Sequence, residues 1–317
     1  MVEYRCFRNT DPPALVRVWN ESLSGRGAIQ LPSPSAFELQ IFSKPYFDPE
    51  GLIVAEEGDE LVGFAHAGFG TDKTGSRLAY EDGVVCILAV NPSYRRQGIA
   101  SELLRRCEAY LTERGSVHIY AGPCFPRNPF YLGLYGGLEL PGFLESDPAT
   151  KPFFLSHGYE VQTSVLVMQR DIQHVLRIVD PRFMNFRQHF EIQAGPIRAR
   201  PTWWENCVLG MLEPMEFLLV EKNTSEVVAE TLLMELEGFS CHWQRASVGF
   251  YGLNVLPEFR QTGMGKFFFA QMLRYVQEQC FELAEVQVAT TNEHALRLSQ
   301  SLGFQEVDVG HVYRKKE

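Results

Sequence analysis

The sequence predicts an α/β (α+β) protein of two tandem domains, each a mixed central sheet flanked by helices. The first observation behind this is an internal repeat. CILAVNPSYRRQGIASELLRRCEAYL at 86–111 and YGLNVLPEFRQTGMGKFFFAQMLRYV at 251–276 both read as apolar strand, tight turn with glycine and arginine, then amphipathic helix. Pro92 aligns with Pro257, Tyr94 with Phe259, Arg95 with Arg260 and Gly98 with Gly263, at one offset of 165 residues (257 − 92). A period near half the chain means two domains and not a solenoid. The second observation is that the same order of elements surrounds each copy. The third is composition: 317 residues with 45% apolar and 21% charged side chains are enough for two ordinary cores. The expected domains are 1–172 and 180–317, with the boundary between Arg170 and Pro181.

The elements follow in order. YRCFR (4–8) reads as a first strand, and Asp11 stands where a carboxylate could cap a helix carrying Leu15, Val18, Trp19 and Leu23. SGRGAIQLPSPS is loop-like and AFELQIFSK reads as a second helix. LIVAEE, a turn at Gly58 and Asp59, and LVGFAHAGF make a hairpin. GTDKTGSRLAYEDG reads as a polar loop leading into the central strand VVCILAV, and VHIYAG is a further strand beyond the first repeated helix. Residues 128–150 then form a Gly-, Pro- and aromatic-rich insertion, a composition that favours a shaped loop.

After the insertion, PFFLSHGYEV matches the helix, glycine and strand of SQSLGFQEV near the C-terminus, and SVLVMQRDI closes the first half. In the second half a helical segment is expected at Trp203 and Trp204. A hairpin follows over EFLLVEKNTSEVVAETLLMEL, then the repeated motif, the strand VQVAT, a helix from Asn292 and a last strand near VGHVYRK.

Composition also excludes some functions. A net charge of −10 argues against general nucleic-acid binding, which needs a basic footprint. No run approaches the roughly 18 apolar residues of a membrane span, and the N-terminus MVEYRCFRNTDPP lacks a signal-peptide core, so a cytoplasmic protein is expected. The seven cysteines form no CxxC pair, and Cys86 and Cys107 read as small core residues. His157 and His294 have no second ligand at metal spacing, and no metal is expected.

The repeated turn carries the chemistry. RRQGIA at 95–100 and RQTGMG at 260–265 share the pattern (Q/R)xxGx(G/A). Small residues at its fourth and sixth positions let backbone amides face outward at a helix start, where unpaired N–H groups and the helix dipole favour a pyrophosphate. Arg95, Arg96 and Arg260 add charge at the rim, and the preceding strand can offer backbone groups to an extended amide-bearing ligand.

In these residues each half resembles the GNAT superfamily of N-acetyltransferases. The resemblance implies acetyl-CoA as cofactor. Its pantetheine arm would lie along Leu88, Ala89 and Val90 or Leu253, Asn254 and Val255. Its phosphates would meet Arg95, Arg96, Gln97, Gly98, Ile99, Ala100 and Ser101, or Arg260, Gln261, Thr262, Gly263, Met264, Gly265 and Lys266. TNEHALRLSQSLGF resembles a later family motif, which gives Asn292 the asparagine position beside the cofactor arm. The tyrosine often assigned there as general acid is Ser299 in this half and Phe154 in the other.

Acetyl transfer needs a base for the amine and an acid for the departing thiolate. Glu81 and Asp82, before the first central strand, are base candidates. Tyr131 and Tyr135 in the insertion are acid candidates or a packed substrate wall, and Tyr251 and His242 are the candidates in the second half. The expected function is acetyl-CoA-dependent transfer to a primary amine of a small molecule or peptide, by direct attack in a ternary complex, in a monomer or homodimer. The alternative is a catalytically degenerate CoA-binding or partner-binding tandem protein.

Overall fold

The computed structural model describes residues 1–174, 176–197, 202–210 and 212–316. Val175, inside the expected boundary, and Glu317, the expected end of the second domain, lie outside them. The first half runs β1 (Val2–Cys6), α1 (Pro12–Ser22), α2 (Ser35–Phe37), β2 (Leu52–Glu57), β3 (Glu60–Thr71), β4 (Leu78–Val90), α3 (Ile99–Glu113), β5 (His118–Ala121), β6 (Phe143–Leu144), α4 (Thr150–Ser156) and β7 (Tyr159–Asp171). The second runs α5 (Phe183–His189), β8 (Phe190–Pro196), α6 (Trp203–Leu209), β9 (Met215–Glu221), β10 (Val227–Glu235), α7 (Glu237–Trp243), β11 (Ser247–Val255), α8 (Met264–Glu278), β12 (Leu283–Ala289), α9 (Glu293–Ser301) and β13 (Gln305–Lys315). No helix among the described residues is long and apolar enough to cross a membrane.

The chain divides into two compact units. The N-terminal unit comprises residues 1–165, 200–211 and 308–317, and the C-terminal unit 166–199 and 212–307. In the N-terminal unit the strand order is β1-β2-β3-β4-β5-β13-β7, with β6 on β13. β4 pairs antiparallel with β3 and parallel with β5, so the sheet is mixed. Helix α3 buries Leu103, Leu104, Cys107 and Leu111, the periodic face of an amphipathic helix. Leu103 approaches so closely that a Cβ on Gly63 would lie 3.4 Å from it. Truncating Leu103 to Ala is expected to cost about 2–5 kcal/mol. Cys86 and Cys107 are fully buried, as expected of core thiols.

Several local expectations change. Asp11 precedes α1 but its side chain makes no cap bond; Pro13 removes the N2 amide, one of the two a cap can serve. Its carboxylate instead accepts from both terminal nitrogens of Arg5 at 2.8 and 2.9 Å and from the Arg8 amide at 2.7 Å. The first strand is Val2–Cys6, and the expected second helix shrinks to α2 and one π turn, Glu38–Phe42. The polar loop is shorter than expected, since β4 begins at Leu78. Asp72 organises what remains of it by accepting from the amides of Thr74 and Ser76, each at 3.1 Å. These bonds help hold its carboxyl near 2.

Helix α6 was foreseen at Trp203 and Trp204, and it packs within the N-terminal unit. A capping box of Thr202 and Glu205 starts it. Trp204 stacks on Tyr46 with centroids 5.2 Å apart, and buried Lys44 donates to the carbonyls of Cys207 and Val208 at its end. Residues 308–315 of β13 enter the same unit, where Gly310 and His311 pair with Leu144 and Phe143.

In the C-terminal unit the order is β7-β12-β11-β10-β9-β8. Helix α8 fills its core with Phe267, Phe268, Phe269, Met272, Leu273 and Val276. Helix α7 has no counterpart in the sequence reading; it follows the hairpin and buries Phe239.

Candidate functional site

The central strand of the N-terminal unit opens the site. β4 pairs with β5 only from Asp82 to Val85, and its register on β3 shifts between His66 and Ala67. Such a bulge bends and twists a strand. Beyond Val85 the edge facing β5 has no strand partner among the described residues, and Ile87, Leu88, Ala89 and Val90 line a cavity of about 800 Å3.

The turn follows. A 3-10 turn spans Pro92–Tyr94, with Asn91 Oδ1 accepting from the Ser93 amide at 2.9 Å. Arg96 stands at φ 64° and Gly98 at 83°, both in the left-handed region, and α3 starts at Ile99. This path leaves the amides of Ile99, Ala100 and Ser101 without a protein acceptor among the described residues. A Cβ on Gly98 would meet nothing within 4 Å, so the space over the turn is open.

Of the N-terminal residues expected to hold a cofactor, Leu88, Ala89, Val90, Arg95, Arg96, Gly98, Ile99, Ala100 and Ser101 line the cavity. Gln97 sits in the turn outside the lining, its amide 3.5 Å from the Ser93 carbonyl. Arg95 is already engaged: Nε donates to the Val90 carbonyl at 3.1 Å and Nη2 to that of Ser22 at 2.9 Å. It ties the turn to the strand end and to α1.

The opposite wall comes from Tyr135, expected as an acid or wall residue, and from Phe143, residues 147–150 and α4, which sequence reasoning did not name individually. The match of Gly158 to Gly303 was the signal that placed a helix there. Asp147 shapes its start, accepting from the Ala149 amide and the Thr150 hydroxyl at 3.0 Å each. His157 closes its end, with Nδ1 2.8 Å from the Phe153 carbonyl and Nε2 2.9 Å from Ser101 Oγ. Ser22 also lines the cavity, and its buried Oγ has no hydrogen-bond partner among the described residues.

Tyr135 is buried, lines the cavity and accepts from the Leu144 amide at 3.0 Å. Burial raises its phenol well above the usual tyrosine range, so it keeps its proton at neutral pH. Glu81 lies elsewhere: it is exposed on β4 ahead of the paired stretch and is not in the lining. Asp82 is half-buried and 3.5 Å from Arg127. The insertion that carries Tyr135 is joined to the loop 25–34 by a bridge from Ala28 to Tyr135. Ile29 also donates to the Leu134 carbonyl at 3.1 Å, and Gly136 to the Gly27 carbonyl at 2.7 Å.

The C-terminal unit repeats the backbone. β11 pairs with β12 only from Ser247 to Gly249, leaving Leu253, Asn254 and Val255 beyond the pairing. Gln261 stands at φ 62°, Gly263 at 97°, and Arg260 Nε donates to the Val255 carbonyl at 2.8 Å. Met264, Gly265 and Lys266 begin α8, and Thr262 Oγ1 lies 3.3 Å from the Met264 amide.

The surroundings differ. A Cβ on Gly263 would lie 2.6–2.8 Å from the Arg182 guanidinium. All three nitrogens of that group are engaged: Nε and Nη2 on Asp180 at 2.9 and 2.7 Å, Nη1 on the Thr262 carbonyl at 2.7 Å. Arg182, with a smaller pull from Lys266, holds the Asp180 carboxyl near 2. Asn292 uses its side-chain oxygen to cap α9, accepting from Ala295 at 3.1 Å. Tyr251 is half-buried on β11 and His242 half-buried on α7.

A family model described as "Acetyltransferase (GNAT) family" matches residues 16–136. An acetyltransferase of Pectobacterium atrosepticum is 31% identical over 140 residues, which cover 44% of this chain and 86% of that protein. The chain belongs to the GNAT family of acetyltransferases. A mycothiol acetyltransferase of Kocuria rhizophila is 25% identical over 278 residues, 83% of each chain. A solved tandem GNAT protein from the clavulanic acid biosynthesis pathway shares the fold over 99% of this chain and 98% of its own, at TM-score 0.68 and 15% identity.

Acetyl-CoA is the cofactor of this GNAT chain, and the N-terminal cavity fits it on structural grounds. The open face over Gly98, the uncommitted amides of α3, the unpaired strand edge and the orphaned Ser22 hydroxyl all offer what a phosphate-bearing, amide-bearing molecule uses. When bound it supplies an activated acetyl thioester.

Proposed function

We propose that the chain is an acyl-CoA-dependent N-acetyltransferase whose working site is in the N-terminal unit. It transfers acetyl to a primary amine of a small molecule or peptide by direct attack in a ternary complex. The observation that carries this reading is the open turn over Gly98 beside a cavity lined by Tyr135. In it, Ile99 to Ser101 present amides to the pyrophosphate, Leu88 to Val90 align the pantetheine, and Tyr135 holds the proton that the thiolate takes on leaving. Ser22 adds a hydrogen bond that the sequence did not suggest. The wall built by residues 25–34 and the insertion faces the acceptor, and the relative named for mycothiol supports a small-molecule acceptor.

For the C-terminal unit a second reading is favoured: a degenerate turn, filled by Asp180 and Arg182, that serves as scaffold. The Arg182 guanidinium, held by Asp180 and the Thr262 carbonyl, occupies the space over Gly263, and the Asp180 carboxylate repels a phosphate there. The experiment is thiol release from acetyl-CoA against a panel of primary amines. Turnover with at least one amine that is lost in Gly98→Ile supports the reading, and turnover unaffected by that substitution overturns it.

A further inference from the structure

Tyr131 is a non-glycine residue in the left-handed region, at φ 70°, and it is 1% exposed. Bulky residues rarely hold that conformation unless their surroundings impose it. Here the surroundings are specific. The phenol oxygen lies 3.1 Å from His66 Nδ1, and the ring stacks on Trp19 with centroids 5.6 Å apart and planes 14° apart.

His66 is itself fully buried on β3, opposite Ile87 of the cavity wall. Phe130 stacks on it at 4.2 Å and Phe47 meets it edge-on at 5.7 Å. Its Nε2 has no hydrogen-bond partner among the described residues. Burial keeps the ring neutral, and its single hydrogen-bond contact among the described residues is the Tyr131 hydroxyl.

The strained residue has a consequence for the site. Its carbonyl accepts from both the Leu134 amide at 3.0 Å and the Tyr135 amide at 3.2 Å, so the path of Tyr131 sets the turn from which Tyr135 enters the cavity. Trp19 fixes the other side, donating to the Ile29 carbonyl at 2.8 Å in the loop bridged to Tyr135. Neither His66 nor Tyr131 lines the cavity.

We propose that His66 and Tyr131 are a buried positioning pair that holds the turn from which Tyr135 enters the cavity and so sets the place of its hydroxyl. The pair rests on the reading of Tyr135 as proton donor and acts only through it. The competing reading is a polar contact that merely fills the core.

A double-mutant cycle separates these. Tyr135→Phe should lower kcat about 100-fold. Tyr131→Phe, which keeps the ring and removes only the hydroxyl, should lower kcat about 10-fold with KM for acetyl-CoA within about twofold. The double variant should match Tyr135→Phe alone, because a positioning group has nothing left to position. Multiplying effects would overturn the pair while leaving Tyr135 as donor. Unchanged kcat in Tyr135→Phe would overturn the donor and the pair together. A second contrast guards against simple misfolding: His66→Gln, which keeps a hydrogen-bonding end, should restore at least half the kcat lost in His66→Leu. Equal activity of the two would mean that packing is all the position needs.

Discussion

In the two repeated turns Arg96 and Gln261 stand at φ 64° and 62°, and Gly98 and Gly263 at 83° and 97°. In both, the preceding arginine donates Nε to the last strand carbonyl, Val90 or Val255. What stands over the glycine differs: open space at Gly98, the Arg182 guanidinium at Gly263. The shared residues therefore encode a backbone path and the arginine that secures it. What stands over that path comes from residues far away in the chain, here Asp180 and Arg182.

The largest effect that would break this contrast is at Gly98. Gly98→Ile puts a branched side chain at a left-handed position and over the amides. Acetyl-CoA affinity should fall more than about 100-fold, roughly 2.7 kcal/mol, in a calorimetric titration. A loss below about threefold would mean that the turn is not the phosphate site.

Next comes an acid response belonging to the N-terminal unit. Burial lowers the His66 pKa to about 3 from 6.5, so the folded ring stays neutral while the unfolded chain binds a proton below pH 6.5. The contribution of His66 to stability is then flat above pH 6.5 and falls by about 1.4 kcal/mol per pH unit below it, roughly 2 kcal/mol by pH 5. Denaturant midpoints followed by tryptophan fluorescence, to which this unit contributes Trp19, Trp203 and Trp204, should show the fall, and His66→Gln should blunt it.

Gly263→Ala should cost about 1–2 kcal/mol of stability, from the positive φ and the displaced guanidinium. The KM for acetyl-CoA should stay within about twofold; a large rise would show that the C-terminal turn binds cofactor after all. The smallest effect compares the matched arginines. Arg95→Ala frees two carbonyls at the cavity rim and should raise that KM about fivefold, or about 1 kcal/mol, whereas Arg260→Ala should leave it unchanged.

The repeat made the turns legible to the level of individual glycines, because a strand, a left-handed turn and an amphipathic helix are all local patterns. Tyr135 was legible as an acid candidate or a wall residue of an unusual insertion, but its place in a cavity assembled from β4, α3 and α4 was not. Three features were out of reach for the same reason. Arg182 meets Thr262 across 80 residues. Lys44 meets Cys207 across 163. The pairing of His311 with Phe143 places the end of the chain in the first unit. None leaves a periodicity or a spacing. The Asp11 cap did not form because its carboxylate is taken by Arg5 and the Arg8 amide, partners that no helix pattern shows.

The claim that one of the two turns works and the other is filled is tested most directly by counting ligands. In a calorimetric titration of the intact chain with acetyl-CoA, one site per chain is expected, and none in Gly98→Ile. Two sites in the parent chain, or one site surviving in Gly98→Ile, would contradict it.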